Sequence, residues 1–299
     1  MVIRVQAPTE LRNPRTLDLD QLDTLSVLRR INDEDVLVPH AVAEVLPALA
    51  TVVDRAVEAL RGGARVHYFG AGSSGRIAAA DAAELGPTYG LADGRVIAHH
   101  AGGHEALLVA LEGVEDDRQA GAQAADGLGP SDVAIGVAAS GRTPYVAGAL
   151  ARARERGAHT VLLSANPEAL LADQVDVHLC VDTGPEVLTG STRMKAATAQ
   201  KLVLNAFSTA TMVRLGYTWS NLMSGLEARN EKLRGRTIGI LVEATGESDE
   251  VCERVLEEAD GVLAQALVVL LAGVEQASAR DALATHGGVV RTAVAALTE

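Results

Sequence analysis

Short apolar runs alternate with longer amphipathic stretches through the middle of the chain. Five runs rich in Val, Leu and Ile predict strands buried on both faces, at residues 66–69, 96–99, 133–137, 160–163 and 177–181. The stretches between and after them have helical spacing, at residues 76–84, 106–125, 143–156, 169–175 and 194–215. This alternation predicts an α/β domain built on a doubly wound parallel sheet with right-handed crossovers.

The two ends of the chain have different patterns. Residues 1–40 are polar and contain several prolines, which predicts an extended lead-in, whereas residues 40–60 repeat apolar positions at helical spacing. Towards the other end, the apolar segment 237–242 predicts one more strand before a region of helices only. We therefore expect an N-terminal lead-in, an α/β domain at 41–245 and a small all-helical domain at 246–299.

Composition excludes several classes of partner. Non-specific nucleic-acid binding requires clustered Lys and Arg residues. The net charge of -13 therefore argues against it. Cys180 and Cys252 lie far apart and outside any CxxC pattern, so we expect neither a disulfide framework nor a cysteine zinc site. Such cysteine usage is typical of proteins in a reducing compartment. The N-terminus has charge and proline in place of a secretory apolar core, and the apolar run 264–274 is shorter than the roughly 20 residues of a membrane span. We expect a cytoplasmic protein that binds neither nucleic acid nor membrane.

A glycine-rich turn, GAGSSGR at residues 70–76, follows the first predicted strand. Glycines let the backbone approach a ligand closely, and Ser73 and Ser74 add hydroxyl donors beside the free N–H groups of the next helix. The pattern GxGxxG also fits a dinucleotide site, but the second strand ends in His99 and His100 rather than in the acidic residue that holds a ribose. A tight turn without any ligand is the competing interpretation.

Two further loops repeat this chemistry at the start of a helix. Their hydroxyl and basic side chains complete the candidates for substrate binding: Ser140, Arg142, Thr143, Ser191, Thr192 and Lys195. The loop after the third strand, taken alone, also fits an ordinary helix start, because Thr143 and Pro144 favour one without any ligand. Together the three loops predict a phosphorylated, polyhydroxylated ligand, since each ligand oxygen removed from water needs a new partner.

The segments that carry these loops resemble one enzyme family along nearly the whole chain. In order they are TELRNP, GAGSSGR, DAAELGPT, ALEGVEDD, AASGRTPY, GPEVLTGSTRMKAATAQK and NLM. They resemble the N-acetylmuramic acid 6-phosphate etherases of the sugar isomerase (SIS) superfamily. The resemblance implies a SIS domain at 41–245, a homodimer, and a lyase that uses no cofactor and no metal. Such a lyase cleaves the D-lactyl ether of its substrate, giving N-acetylglucosamine 6-phosphate and D-lactate, in the recycling of cell-wall amino sugars.

The resemblance also nominates two catalytic carboxylates, Glu84 and Glu115. Glu115 would act as the base that takes the proton beside the aldehyde of the open-chain sugar, and Glu84 as the acid that assists the departing lactate before water adds back. The residues by themselves favour plainer interpretations: Glu84 as a polar helix-end residue and Glu115 as part of the solvated acidic run 112–117.

The spacing of the first loop and Glu84 bears on where the site is assembled. A continuous helix from Ser74 to Glu84 rises about 15 Å, further than one sugar ring can bridge. Either the helix ends early near Pro87, or Glu84 serves a pocket formed largely by a partner chain, as a symmetric dimer allows.

Other patterns compete with these interpretations. His100, His104 and Glu105 have a spacing that suits a metal on a helix, but Gly102 and Gly103 disfavour a helix there, so we expect a loop histidine. The basic residues in 226–236 are typical of a solvated helix end, and use by a partner subunit is the alternative. Two other functions stay open: a sugar-phosphate sensor of the glucokinase-regulatory type, which would carry two SIS domains, and an aldose–ketose phosphate isomerase.

Overall fold

The computed structural model describes residues 7–226 and 231–298. Residues 1–6 of the lead-in, and 227–230 within the basic stretch, lie outside the described residues. The described chain falls into two compact units. One consists of the residues up to Ala82 together with Gly94–Ser208, and the other of Ala83–Asp93 together with the residues from Thr209 onward.

The first unit is built on a parallel sheet of five strands. These are β1 (Val66–Gly70), β2 (Val96–His100), β3 (Val133–Val137), β4 (His159–Ser164) and β5 (Val177–Cys180), and their order in the sheet is β2-β1-β3-β4-β5. β1 and β3 are buried at every position, as expected for strands covered on both faces. The parallel α/β sheet predicted from the apolar runs is therefore confirmed.

The strand order identifies where such a sheet binds its ligands. β1 pairs with β2 on one side and with β3 on the other, so the connections after β1 and β3 leave the sheet in opposite directions. The crevice outside the carboxyl ends of these two strands is the topological switch point, where open α/β sheets bind ligands. The register pairs Gly70 with His100 and with Val137, so the three strands end at the same level.

Helices cover the sheet. They are α3 (Leu46–Arg61), which packs on β1, β3 and β5; α4 (Gly72–Tyr89); α6 (Arg118–Ala124) and α7 (Pro144–Glu155), which pack closely on each other; and α8 (Lys195–Leu215). Leu150 and Val146 of α7 lie so close to Gly136 of β3 that a side chain there would overlap them. α7 and α8 agree with the predicted helices at 143–156 and 194–215, and α4 extends further in both directions than predicted.

Two stretches predicted to be helices do not form continuous α-helices in the structure. The stretch 106–125 is divided into α5 (Glu105–Leu108), a single 3₁₀ turn at Val114–Asp116 and α6. Gly113 has a φ of 79°, in the left-handed region, which a continuous helix does not allow. The stretch 169–175 contains only one 3₁₀ turn, Ala172–Gln174.

The prediction of an extended lead-in was wrong for the described residues. The segment contains 3₁₀ turns and two α-helices, α1 (Thr24–Asp35) and α2 (Val38–Ala43). Asp23 caps α1 by accepting a hydrogen bond from the Ser26 N–H at 3.1 Å. The segment has buried groups of its own, among them the carboxylate of Glu34, which forms an ion pair that its local sequence does not reveal.

The second unit is helical. From residue 231 onward it consists of α9 (Glu231–Thr245), α10 (Asp249–Glu258), α11 (Leu263–Ala272), α12 (Gln276–Thr285) and α13 (Val290–Thr298). The strand predicted at 237–242 was wrong, because these residues lie inside α9, where Leu241 packs in the core of the unit. The boundary predicted near residue 245 falls inside this unit.

No single helix among the described residues has the length and hydropathy of a bilayer span. Thr24–Ala43 and Leu46–Arg61 reach that length only when they are counted together, and they are bent by 61°.

Candidate active site

The β1–α4 turn folds tightly because its glycines allow close backbone contact. A side chain on Gly75 would lie 2.7 Å from the Gly70 carbonyl oxygen and 2.5 Å from Cδ2 of His100. Glycine at these positions lets α4 begin at Gly72 directly after the strand, with Ser73 and Ser74 in its first turn. The free N–H groups of this helix start, together with the two hydroxyls, form an arrangement that binds anions well.

The loop after β3 is fixed by its neighbour from β4. Gly141 has a φ of 63° and packs against Ala169, so that a side chain there would come within 2.3 Å of the Ala169 Cβ. Asn166 donates a hydrogen bond to the Ser140 carbonyl oxygen at 3.1 Å. Thr143 then precedes α7, which begins at Pro144. These contacts place the loop, with Ser140 and Thr143, at the switch point.

The third loop is tied to the N-terminal segment. Gly190, with a φ of 77°, donates its N–H to the Thr9 carbonyl oxygen at 3.0 Å. Thr16 Oγ1 donates to the Val187 carbonyl oxygen at 2.8 Å. The segment predicted to be an extended lead-in therefore holds this loop in place.

One cavity of about 380 Å³ collects hydroxyls from all three loops. Of the predicted site residues, those that line it are Ser73, Ser74, Ser140, Thr143, Thr192 and Glu115. The half-buried Glu115 lies in the 3₁₀ turn after α5. A larger cavity of about 490 Å³ lies along the N-terminal segment, but half of its lining side chains are aliphatic. The smaller cavity, which has both Glu115 and the hydroxyls of three loops in its lining, is the candidate active site.

Four predicted site residues do not line this cavity: Glu84, Arg142, Ser191 and Lys195. Glu84 is exposed, and the helix that carries it runs unbroken from Gly72 to Tyr89 with Pro87 inside it. The alternative in which the helix ends early near Pro87 was therefore wrong. Arg142 and Ser191 are half-buried neighbours of lining residues.

Lys195 has a partner within the fold in place of the predicted ligand. Its side chain is 1% exposed, and Nζ donates to Oε2 of Glu34 at 2.8 Å. Arg15 donates to the same oxygen at 2.7 Å. The hydrogen bond from Arg15 outweighs the effect of burial and, with that from Lys195, lowers the pKa of Glu34 to about 2. Glu186 accepts from the N–H groups of Lys195 and Ala196, at 2.9 and 3.0 Å, and so caps α8.

A second polar network anchors the middle of α4. Asp81 is buried and accepts hydrogen bonds from Tyr68 Oη at 3.0 Å, Asn205 Nδ2 at 2.8 Å and Ser208 Oγ at 2.9 Å. Burial raises the pKa of Asp81, and these donors counteract the rise. Within the first unit, this network joins α4 to β1 and α8.

Four ionisable side chains that line the cavity were not among the predicted site residues: Glu10, Arg76, His100 and Glu112. Arg76 donates to carbonyl oxygens at the end of α5, through Nε to Leu107 at 2.9 Å and through Nη2 to Ala106 at 2.8 Å. Glu10 and Arg76 were already part of the segments TELRNP and GAGSSGR, which is the signal that could have nominated them. Among the described residues there is no cluster of three or more His, Cys, Asp or Glu side chains that could hold a metal ion.

The doubly wound sheet and the hydroxyl-rich cavity at its switch point form a SIS domain, as matches to two family models show. Residues 112–210 match the SIS domain family, and residues 48–154 match the glucokinase regulatory protein N-terminal SIS domain. The chain is also similar, at 20% identity and a TM-score of 0.51, to the structure of a candidate phosphosugar isomerase involved in capsule formation from Bacteroides fragilis NCTC 9343, covering 66% of this chain and 93% of that one. That likeness concerns the fold alone.

Relatives at higher identity define the family more closely. The chain is 62% identical to an N-acetylmuramic acid 6-phosphate etherase of Thermobifida fusca (strain YX), over 89% of this chain and 88% of the relative. It is 50% identical to an N-acetylmuramic acid 6-phosphate etherase of Cutibacterium acnes (strain DSM 16379 / KPA171202), over 96% of this chain and 95% of the relative. The chain belongs to the N-acetylmuramic acid 6-phosphate etherase family.

Proposed function

We propose that this chain is a carbon–oxygen lyase that cleaves the D-lactyl ether of N-acetylmuramic acid 6-phosphate. The products are N-acetylglucosamine 6-phosphate and D-lactate, and the reaction belongs to the recycling of cell-wall amino sugars. The observation that carries the proposal is that Glu115 shares one cavity with hydroxyls from three separate loops. The relatives that bear the name of this activity span nearly the whole chain.

The hydroxyl cluster suits the phosphate end of the substrate. Ser73 and Ser74 lie in the first turn of α4, and Ser140 and Thr143 precede α7, so hydroxyl and backbone N–H donors converge on the cavity. A dianionic phosphate needs several such donors once it leaves water. Thr192 adds a hydroxyl from the third loop.

Glu115 is proposed as the base. It removes the proton from carbon 2 of the open-chain sugar, where the adjacent aldehyde stabilises the resulting negative charge as an enolate. That electron pair then forms the double bond between carbons 2 and 3 while the bond from carbon 3 to the lactyl oxygen breaks. Lactate leaves with a proton from the acid, and water adds across the double bond to restore a hydroxyl at carbon 3.

Glu84 is proposed as the acid, on the strength of its place in the DAAELGPT segment. Because it does not line the cavity described within one chain, we propose that it completes a pocket of a partner subunit in a homodimer. Exposed aliphatic side chains on the first unit support an interface: Leu11, Leu17, Leu25, Leu28, Val36 and Leu188. Sedimentation of the purified protein checks this proposal, and a mass of one chain would contradict it.

We also propose a cytoplasmic location and a reaction without metal or other cofactor. Cys180 and Cys252 are both free thiols, which suits a reducing compartment. The aldehyde of the open-chain sugar acidifies the neighbouring proton by itself, so the chemistry does not require a Lewis acid.

The acid and base roles can be separated by exchange of the carbon 2 proton. In Glu115→Gln we expect both D-lactate release and uptake of solvent deuterium at carbon 2 to fall by about 100-fold to 10,000-fold, since the base is gone. In Glu84→Gln we expect lactate release to fall while deuterium exchange continues, because carbon 2 can still lose its proton. Lactate is measured enzymatically, and deuterium uptake is measured by mass spectrometry. Adding a chelator should not change either rate, because the proposed reaction uses no metal.

Asp116→Asn is the matched control, because it removes a neighbouring exposed carboxylate that does not line the cavity. Exchange that survives in Glu115→Gln and disappears in Glu84→Gln would reverse the two roles. Full lactate release by both variants would contradict the proposed mechanism. Sugar-phosphate binding by the unmodified protein without any lactate would instead favour a regulatory sensor, and a ketose product without lactate would favour an isomerase.

A further inference from the structure

Glu10 is an acidic side chain in the candidate active site that the etherase chemistry above does not use. It ends the 3₁₀ turn Pro8–Glu10, and it lines the same cavity as Ser73, Ser140 and Thr192. Its side chain is exposed, and the hydrogen bonds and ion pairs of the described residues include none to its carboxylate. Glu10 is therefore free to bind a ligand.

The position of Glu10 is fixed by its surroundings. The preceding residue, Thr9, is 1% exposed and accepts the N–H of Gly190 at 3.0 Å. A side chain on Gly190 would come within 3.2 Å of Oε2 of Glu10, so the carboxylate lies directly over this glycine. The Glu34–Lys195 ion pair, 161 residues apart in sequence, fixes α1 of the same segment on the start of α8. The N-terminal segment therefore carries a carboxylate to the cavity on a rigid support.

The chemistry of the cavity limits what this carboxylate can bind. An ionised carboxylate only accepts hydrogen bonds, and it repels phosphate and the carboxylate of a lactyl group. The hydroxyl and N–H donors of the three loops suit the phosphate, so Glu10 has to serve another part of the ligand. The parts of an amino sugar that can donate to a carboxylate are its hydroxyl groups and its acetamido N–H.

We infer that Glu10 accepts a hydrogen bond from a neutral donor of the amino sugar, a hydroxyl or the acetamido N–H, and so determines how the sugar lies relative to the phosphate. This inference rests on the proposed function and adds a specificity-determining residue to it. Glu10 takes no part in proton transfer. Its effect is on the affinity for the sugar portion of the ligand, which free phosphate does not share.

The test is to measure the binding of two probes by calorimetry, N-acetylglucosamine 6-phosphate and inorganic phosphate. For Glu10→Ala we expect the dissociation constant of the sugar phosphate to rise by about 10-fold to 100-fold, the range for a hydrogen bond to a charged group. For Glu10→Gln, which keeps the shape and one acceptor oxygen, we expect a smaller rise. The affinity for inorganic phosphate should be unchanged in both variants.

Asp20→Ala is the matched control, because it removes the same charge from the same segment at an exposed position outside this cavity. An unchanged affinity for the sugar phosphate in the Glu10 variants would overturn the inference. An equal loss of affinity for the sugar phosphate and for inorganic phosphate in Glu10→Gln would also overturn it. That result would mean that the substitution displaces the segment and does not remove a contact with the sugar.

The etherase activity and the role of Glu10 are tested by separate measurements, lactate release and binding of the sugar phosphate. Lactate release by the unmodified protein together with unaffected Glu10 variants overturns the role of Glu10 alone. Binding of the sugar phosphate that depends on Glu10, without any lactate release by the unmodified protein, overturns the etherase activity and leaves the role of Glu10 standing.

Discussion

At the scale of single residues, the site depends on side chains that hold others in place. Arg76 contacts the carbonyl oxygens of Ala106 and Leu107, which close α5 a few residues before Glu115. A guanidinium can satisfy two such acceptors at once because its donors form a rigid planar fork, which an ammonium group cannot reproduce. Arg76 is therefore a positioning residue for the loop that carries the proposed base.

We expect Arg76→Lys to lower kcat for lactate release by about 10-fold to 100-fold, because a small displacement of the base is enough to slow proton transfer. The affinity for inorganic phosphate should change little, since the hydroxyl loops are intact. Added guanidinium should restore part of the activity of Arg76→Ala. Arg193→Lys, at an exposed position outside the cavity, is the control. If phosphate affinity falls as much as kcat, Arg76 binds the phosphate directly.

At the scale of secondary-structure elements, two glycines allow α6 and α7 to pack backbone against backbone. A Cβ on Gly148 would lie 1.9 Å from the Arg118 carbonyl oxygen, and one on Gly121 would lie 1.9 Å from the Tyr145 carbonyl oxygen. Backbone atoms cannot move aside as a flexible side chain can. α7 also packs on β3, the strand that precedes the loop with Ser140.

Gly148→Ala should therefore lower the free energy of unfolding by about 1–3 kcal/mol, the usual cost of overpacking. Urea denaturation followed by circular dichroism measures the change. Gly239→Ala is the matched control, because Gly239 lies inside α9 with open space around it and should gain up to about 1 kcal/mol from the better helix propensity of alanine. Equal stability of Gly148→Ala and the unmodified protein would show that α6 and α7 can separate at no cost.

At the scale of the whole molecule, a histidine pair makes stability depend on pH. His67 is 3% exposed, and its Nδ1 lies 3.0 Å from Nε2 of His99, whose ring stacks on Phe69 with centroids 4.6 Å apart. Burial, and then the charge of the neighbouring His99, lowers the pKa of His67 to about 4. Burial, and then the charge of Arg65, lowers the pKa of His99 to about 4.

Both pKa values are lower in the folded chain than the ordinary 6.5, so the unfolded chain binds more protons below pH 6.5. Stability should be full above pH 6.5 and should fall as pH decreases towards 4, by up to about 1.4 kcal/mol per pH unit for each extra proton. Urea unfolding between pH 7.5 and 4.5 measures the slope. His99→Gln should flatten it, whereas the control His104→Gln, at an exposed position, should not. A curve without slope in the unmodified protein would contradict this account.

The sequence by itself determined the elements whose signal is local. Valine-rich runs such as 133–137 predicted the strands of the sheet, because a strand covered on both faces must be apolar at every position. The three loops were also predicted from local signals. Ser73, Ser140 and Thr192 each belong to a short segment that combines a glycine, hydroxyl side chains and the start of a helix. The segment 237–242 shows the limit of such signals, because a short apolar run fits a strand or a buried helix equally well.

Only the tertiary structure decided which side chains meet. Lys195 follows the third loop in a pattern typical of phosphate binding, yet its ammonium is buried on Glu34, 161 residues away in the sequence. Glu10 stood in a segment predicted to be an extended lead-in, yet it lines the cavity. Periodicity and turn chemistry act between neighbours in the chain, whereas a buried charge is stable only beside a partner, and that partner can come from any part of the sequence. The sequence therefore specified the sheet and its loops, and long-range pairing of charges specified how the N-terminal segment completes the site.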